Sequence, residues 1–221
     1  MKVIFTEYNL SSFEDFHDKE WFRKTYNLVK GTEIESVAEE FTVHWYGSAR
    51  AFILPWLLVN GVYDDINSIV PLPTSRQDLW SDYLKRSEFH TALWKLAENT
   101  YCSIYYAYEN LVVNLLSKIL GKNVRVTDRG FNSVLGKVYG DKFVGKIWNN
   151  NFVSMSREIR NCIVHNGGKA SEKLLRMNLQ PHIKDGGIMY SASDARQLYV
   201  ELKPLAYELL QESLMKVRAR K

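Results

Sequence analysis

The chain has 221 residues, 46% hydrophobic and 13% aromatic, which supplies one well-packed core and excludes a disordered chain. Its formal charge of +4 is compatible with a polyanionic partner without demanding one. Two cysteines, Cys102 and Cys162, and five scattered histidines give neither a disulfide framework nor zinc-ligand spacing, so no metal or other cofactor is indicated.

In chain order, "MKVIFTEYNL" lacks the apolar run of a signal peptide. The most apolar window, "AFILPWLLV", has nine residues and is too short for a bilayer. A soluble cytosolic protein without a membrane partner is expected. Ser11 or Ser12, three residues before Glu14 or Asp15, can cap a first helix carrying Phe13, Phe16, Trp21 and Leu28, with Gly31 as its stop. Apolar residues from Ile34 through Trp45 and Phe52 to Val59 keep three-and-four spacing up to Gly61, a second helix with a kink at Pro55. Residues 60–75 carry three turn signals and read as a long loop.

A third and longest helix bears Leu93, Leu96, Ala97, Ile104, Tyr108, Leu111, Val112, Leu115 and Ile119 on one stripe before Gly121. "FNSVLGKVYGDKFVGKIWNN" reads as two short helices broken near Gly140. The next helix runs from about Phe152 to Asn166. "PHIKDGGIMY" places Asp-Gly-Gly between two β-prone runs, a small hairpin. Asp194, with Ser193 before it, can cap a last helix to about residue 217, bent at Pro204. The basic end, "KVRARK", suits a solvated tail that complements the helix C-terminus. Helical pattern dominates, so the expected fold class is a mainly α bundle with one β-hairpin.

The segment "REIRNCIVHNGG", Arg157 to Gly168, raises the question of function. With Ile159 as reference, Phe152, Met155, Cys162 and Ile163 fall within about 60° and form the core side. Arg160, Arg157, Asn161 and His165 lie between about 100° and 240°, away from it, with Val164 in the middle of their arc. A plain solvated face carries Lys and Glu; this one carries groups suited to phosphate and proton transfer. Gly167 and Gly168 provide a left-handed stop that leaves His165 at an open helix end. Spacing alone also accommodates a histidine that complements the helix dipole beside decorative surface arginines.

Arg160-Asn161-Cys162-Ile163-Val164-His165 resembles the R-x4-6-H signature of HEPN domains, in the form with Asn directly after Arg. The continuation "HNGG" and the preceding long helix with "YAYENL" are similar to that family as well. The resemblance covers roughly residues 88–217, which divides the chain into an N-terminal helical extension, 1–87, packed on the bundle, and a HEPN-like helical domain, 88–221. It implies a four-to-five-helix bundle that pairs with a second copy, so that two such helices form one composite cleft. It further implies a metal-independent endoribonuclease of the kind found in toxin–antitoxin, phage-defence and RNA-processing systems, with RNA as substrate and, for a toxin, an antitoxin partner.

In that reading His165 is the general acid or base, Arg160 holds the scissile phosphate, and Asn161 orients the imidazole or bonds a phosphate oxygen. Arg157 is an additional phosphate contact outside the signature. Glu109, at the edge of the long helix's apolar stripe, is either the polar cleft residue that family members carry there or a structural carboxylate. Tyr101, Tyr105, Tyr106 and Tyr108 are either core or stacking platforms for bases. Because Arg160 and His165 point away from the core, truncating either is expected to leave the bundle folded. The alternative function is a non-catalytic HEPN-fold module that binds nucleotide, RNA or a protein partner in the same cleft. An intact Arg-Asn…His set favours the enzyme, since binding alone needs no titratable histidine.

Overall fold

The computed structural model describes residues 19–57, 87–177 and 181–219. These residues form eight helices and one two-stranded sheet, a mainly α protein as the periodicity predicts. The Ser11/Ser12 cap, Phe13, Phe16 and the loop at 60–75 lie outside the described residues. Among the described helices none is long and apolar enough to cross a membrane.

Helix α1 (Lys19–Val29) ends at Gly31, whose φ of 72° is open to glycine at little cost. Helix α2 (Glu35–Leu57) follows and includes Pro55 in its last turn. Helix α3 (Ser87–Leu120) forms the central axis: α2 and the C-terminal helix pack along it most extensively, and the motif helix packs against it as well. Encirclement explains why burial on α3 exceeds one stripe. Tyr101, Tyr105, Ala107 and Leu116 are buried in addition to Ile104, Tyr108, Leu111, Val112, Leu115 and Ile119. Each fully buried large side chain contributes about 1.5–3 kcal/mol of transfer free energy.

Helices α4 (Phe131–Tyr139) and α5 (Asp141–Ile147) meet at Gly140, where φ is 84°. Helix α6 (Asn151–His165) carries the motif and begins at Asn150, whose side chain accepts the Val153 N–H at 2.8 Å. A single turn, α7 (Glu172–Leu175), precedes the hairpin of β1 (Ile183–Lys184) and β2 (Gly187–Ile188), antiparallel with Ile183 opposite Ile188. Asp185 and Gly186 between them have φ of 52° and 75°, the backbone signs of a tight hairpin turn.

Helix α8 (Ala192–Arg218) closes the fold. Its N-cap is Ser191 rather than Ser193 or Asp194; Asp194 instead closes the capping box, accepting the Ser191 N–H at 2.7 Å. Both serines stand near the boundary, and the spacing of three to the carboxylate selects the earlier one. Pro204 lies inside α8 on its exposed side, where the lost N–H bond leaves no buried orphan.

Residues 19–57 share their hydrophobic core with the later helices. Trp45 of α2, fully buried, stacks on Tyr199 of α8 with ring centroids 4.8 Å apart. Ala38, Phe41, Ala49 and Phe52 are buried along the same side of α2. The rotation of α2 about its own axis is thereby fixed, and with it the direction of every polar residue it carries.

Candidate functional site

The motif helix is anchored at both ends. Along it Ile159 and Cys162 are 1% exposed, while Phe152, Met155 and Ile163 are only partly buried against the core. Val153 and Ser156 are fully buried as well, so the inner side of α6 is rotated toward them in its first two turns. At the other end, the Asn166 and Gly168 N–H groups both donate to the Cys162 carbonyl at 3.0 Å. Gly167 and Gly168 take φ of 61° and 81°, which turns the chain sharply away after His165.

The hairpin then clamps this turn. The Ile188 N–H donates to the Gly168 carbonyl at 2.8 Å, and the Ala170 N–H donates to the Gly186 carbonyl at 2.9 Å. A helix end tied to a sheet holds an exposed histidine in place without burying it.

Arg160, Val164 and His165 line one groove of about 460 Å³. Its floor comes from α3, with Cys102, Ser103 and Tyr106, and its opposite side from α2, with His44 and Ser48. Val164 and Tyr106 are 55% and 53% exposed, an apolar lip beside the polar groups. Burial, offset in part by the Arg160 charge, pushes the Cys102 thiol up to about 11, so it stays protonated near neutral pH.

Arg160 is less free than the helical wheel implies. Its Nη2 is ion-paired with Oε1 of Glu109, and the two side chains are 18% and 12% exposed. The guanidinium also stands 5.6 Å from the Tyr105 ring centroid. Glu109 Oε2 and Arg160 Nε are buried without a hydrogen-bond partner among the described residues, so the pair is joined through one contact and not two. Glu109 is therefore the counter-ion of Arg160. A carboxylate in that position sets the arginine's orientation and is itself repelled by phosphate.

Arg157 goes elsewhere. Its guanidinium lies 3.8 Å from the Trp148 ring centroid, its Nε donates to the Tyr105 hydroxyl at 2.9 Å, and its Nη2 donates to the Trp148 carbonyl at 3.1 Å. Burial pushes the Tyr105 phenol up to about 12 against the pull of Arg157, leaving a neutral hydroxyl to accept that bond. Arg157 does not line the groove, and its expected role as a phosphate contact has no geometric support there. Asn161, half-buried, is also outside the groove lining.

The structure thus brings Arg160 and His165 together, sets Glu109 behind the arginine, and leaves Arg157 and Asn161 aside. Of the four tyrosines, Tyr101, Tyr105 and Tyr108 are core and Tyr106 alone reaches the groove. Sequence reasoning missed His44 and Ser48. No local signal marks them, because only the packing of α2 on α3 places them opposite the motif.

Glu158 serves the scaffold. It is 7% exposed and accepts from Ser171 Oγ at 2.6 Å and from Lys173 Nζ at 2.7 Å. Burial raises its carboxyl, but these two partners outweigh it and hold the group below its ordinary range. Among the described residues no group of three or more His, Cys, Asp or Glu could hold a metal ion.

Comparison with models of protein families, with curated proteins and with solved structures finds no match to this chain.

Proposed function

We propose that the chain is a metal-independent endoribonuclease of the HEPN type, acting on RNA as a two-fold homodimer. The observation that carries this reading is the convergence of Arg160 and His165, from one exposed helix end, on a single groove with an apolar lip. The Arg-Asn…His string supplies the resemblance, and the groove gives its arginine and histidine a common space to act in.

The chemistry uses the substrate's own 2′-hydroxyl as nucleophile, so no bound ion is needed to generate one. Its oxygen attacks phosphorus, the bond to the 5′-oxygen breaks, and a cyclic phosphate and a 5′-hydroxyl result. Arg160, aligned by Glu109, offsets the charge that builds on the phosphoryl oxygens. His165 transfers a proton, a role worth roughly 10²–10⁴-fold. Asn161, one turn before His165 and outside the groove lining, takes the role of orienting the imidazole or bonding a phosphate oxygen once RNA is bound. Val164 belongs to the dimer contact, since an exposed apolar residue amid polar groups is explained by a second subunit covering it. The biological setting that fits is a toxin or phage-defence effector of the cytoplasm, with an antitoxin as protein partner.

The test is incubation of purified wild type and His165→Ala with total RNA in EDTA. Cleavage by wild type alone is the expected result. Retention of RNA or nucleotide with no cleavage by either protein rejects the enzyme in favour of a binding module.

A further inference from the structure

We infer that His44 is a second proton-transfer group of this groove, supplied by the same chain from the helix outside the HEPN-like segment. The inference rests on the ribonuclease reading above and adds to it a second proton-transfer residue from the same chain.

Scission by a 2′-hydroxyl moves two protons at two places. One leaves the 2′-oxygen as its bond to phosphorus forms. The other joins the 5′-oxygen, which departs with the electron pair of the broken P–O bond, while the cyclic phosphate keeps its single negative charge. The attacking and leaving oxygens lie roughly in line, on opposite sides of phosphorus. A single histidine on one wall reaches one of them. The other needs a second group, either the partner subunit's His165 across the composite cleft or a side chain of the same chain on the facing wall.

The fold provides that wall. Helix α3 packs against both α2 and α6, so it forms the floor of the groove while α2 and α6 rise beside it. His165 belongs to α6 and His44 to α2. The buried run Phe41, Trp45, Ala49 sets the rotation of α2. His44, one residue from Trp45, is then turned about 100° from the core to an exposed position at the groove.

The other groove residues are poorer candidates. Ser48 Oγ donates to the His44 carbonyl at 2.8 Å, which ties its hydroxyl to its own helix. The Cys102 thiol, pushed up to about 11 chiefly by burial, is no base near neutral pH. Tyr106 offers an exposed ring for stacking. An imidazole is the side chain that both gives and takes a proton between pH 5 and 8, and the described residues place two at this groove. Among the described residues, the titratable and charged groups that share the groove with His44 are Cys102 and Tyr106 on α3 and Arg160 and His165 on α6, and Glu40 stands one turn earlier on α2.

The experiment compares full-length wild type, His44→Ala and His165→Ala on a chimeric oligonucleotide. Its one ribonucleotide stands at a site mapped from wild-type cleavage of total RNA. A matched oligonucleotide carries sulfur in place of the bridging 5′-oxygen, so that its leaving group departs without a proton. His44→Ala is expected to lower kcat on the oxygen substrate by roughly 10²–10⁴-fold with KM little changed. The bell-shaped pH profile should lose one limb. One of the two histidine variants, and not both, should recover on the sulfur substrate, which assigns the general acid. If His44→Ala cleaves like wild type, or loses only KM with its pH profile intact, the inference fails and the ribonuclease reading stands. Rescue of both variants or of neither also overturns it. A wild type that cleaves no RNA removes both.

Discussion

Arg160 of α6 and Glu109 of α3 form a half-dry ion pair joined through one nitrogen and one oxygen, at the edge of the groove that also holds His165. Each partner leaves the other uncompensated if removed. Glu109→Ala is expected to cost about 1–3 kcal/mol of stability, and Arg160→Ala a comparable amount. This replaces the expectation that truncating Arg160 is neutral for the fold. A double-mutant cycle should show coupling of about 0.5–3 kcal/mol, measured by denaturant unfolding. Additive effects of the two truncations would show that the contact carries no energy.

Arg157 is expected to act on stability ahead of RNA affinity. Arg157→Ala removes a guanidinium stacked on Trp148 and two hydrogen bonds, for a loss of about 1–3 kcal/mol. Arg157→Lys should recover little, since an ammonium cannot stack and donate in two directions at once. Thermal melts give the first reading. The salt dependence of RNA binding gives the second, and a slope reduced by about one would mark a phosphate contact instead.

The helices were readable because their signals are local. Glycine punctuation ends α3 before Gly121, separates α4 from α5 at Gly140 and stops α6 before Gly167, and the motif helix expected from about Phe152 to Asn166 spans Asn151–His165. The hairpin follows from Asp185-Gly186. Side-chain destinations were less legible. A helical wheel treats each residue as a short vector from the axis, whereas arginine reaches several ångströms sideways along an apolar surface before its charge finds a partner. Arg160 and Arg157 both lie on the outer arc and both return to α3, to Glu109 and Tyr105. His44 was invisible for another reason: it becomes a groove residue only through the rotation of α2, which Trp45 and Tyr199 decide across more than a hundred positions of sequence.

Glu158 should make the fold acid-sensitive. Its carboxyl titrates below its ordinary value of 4.5 in the folded state, so its contribution is fully present above that value. It is lost as pH falls through the lower folded value. Glu158→Gln should therefore lower the melting temperature at neutral pH and lose less than wild type on going from pH 5 to pH 3. Parallel melting curves for the two proteins over that interval would refute the assignment.

Cleavage should depend on the groove residues in a graded way. His165→Ala should nearly abolish activity with no change in melting temperature, since His165 is exposed. Arg160→Lys should keep the fold better than Arg160→Ala yet remain a poor catalyst, because it retains charge and loses the planar fork. The products should end in a 2′,3′-cyclic or 3′-phosphate and be unaffected by chelators. A 3′-hydroxyl end, or dependence on added Mg²⁺, would reject the chemistry.

Val164 tests the assembly. It is 55% exposed on the last turn of α6, between Arg160 and His165 in the groove lining. Replacing it by Asp removes little from the monomer, because an exposed side chain has few internal contacts, and stability should shift by at most about 0.5 kcal/mol. Across a two-fold axis the same change acts twice and sets two carboxylates near each other in an apolar contact. Sedimentation velocity at tens of micromolar should then show wild type as a dimer and Val164→Asp as a monomer. RNA cleavage should fall with the dimer, and Val164→Ile should keep both. A Val164→Asp protein that remains dimeric would place the interface on another face. One that is monomeric and fully active would show that a single groove, with its own two histidines, suffices for the reaction.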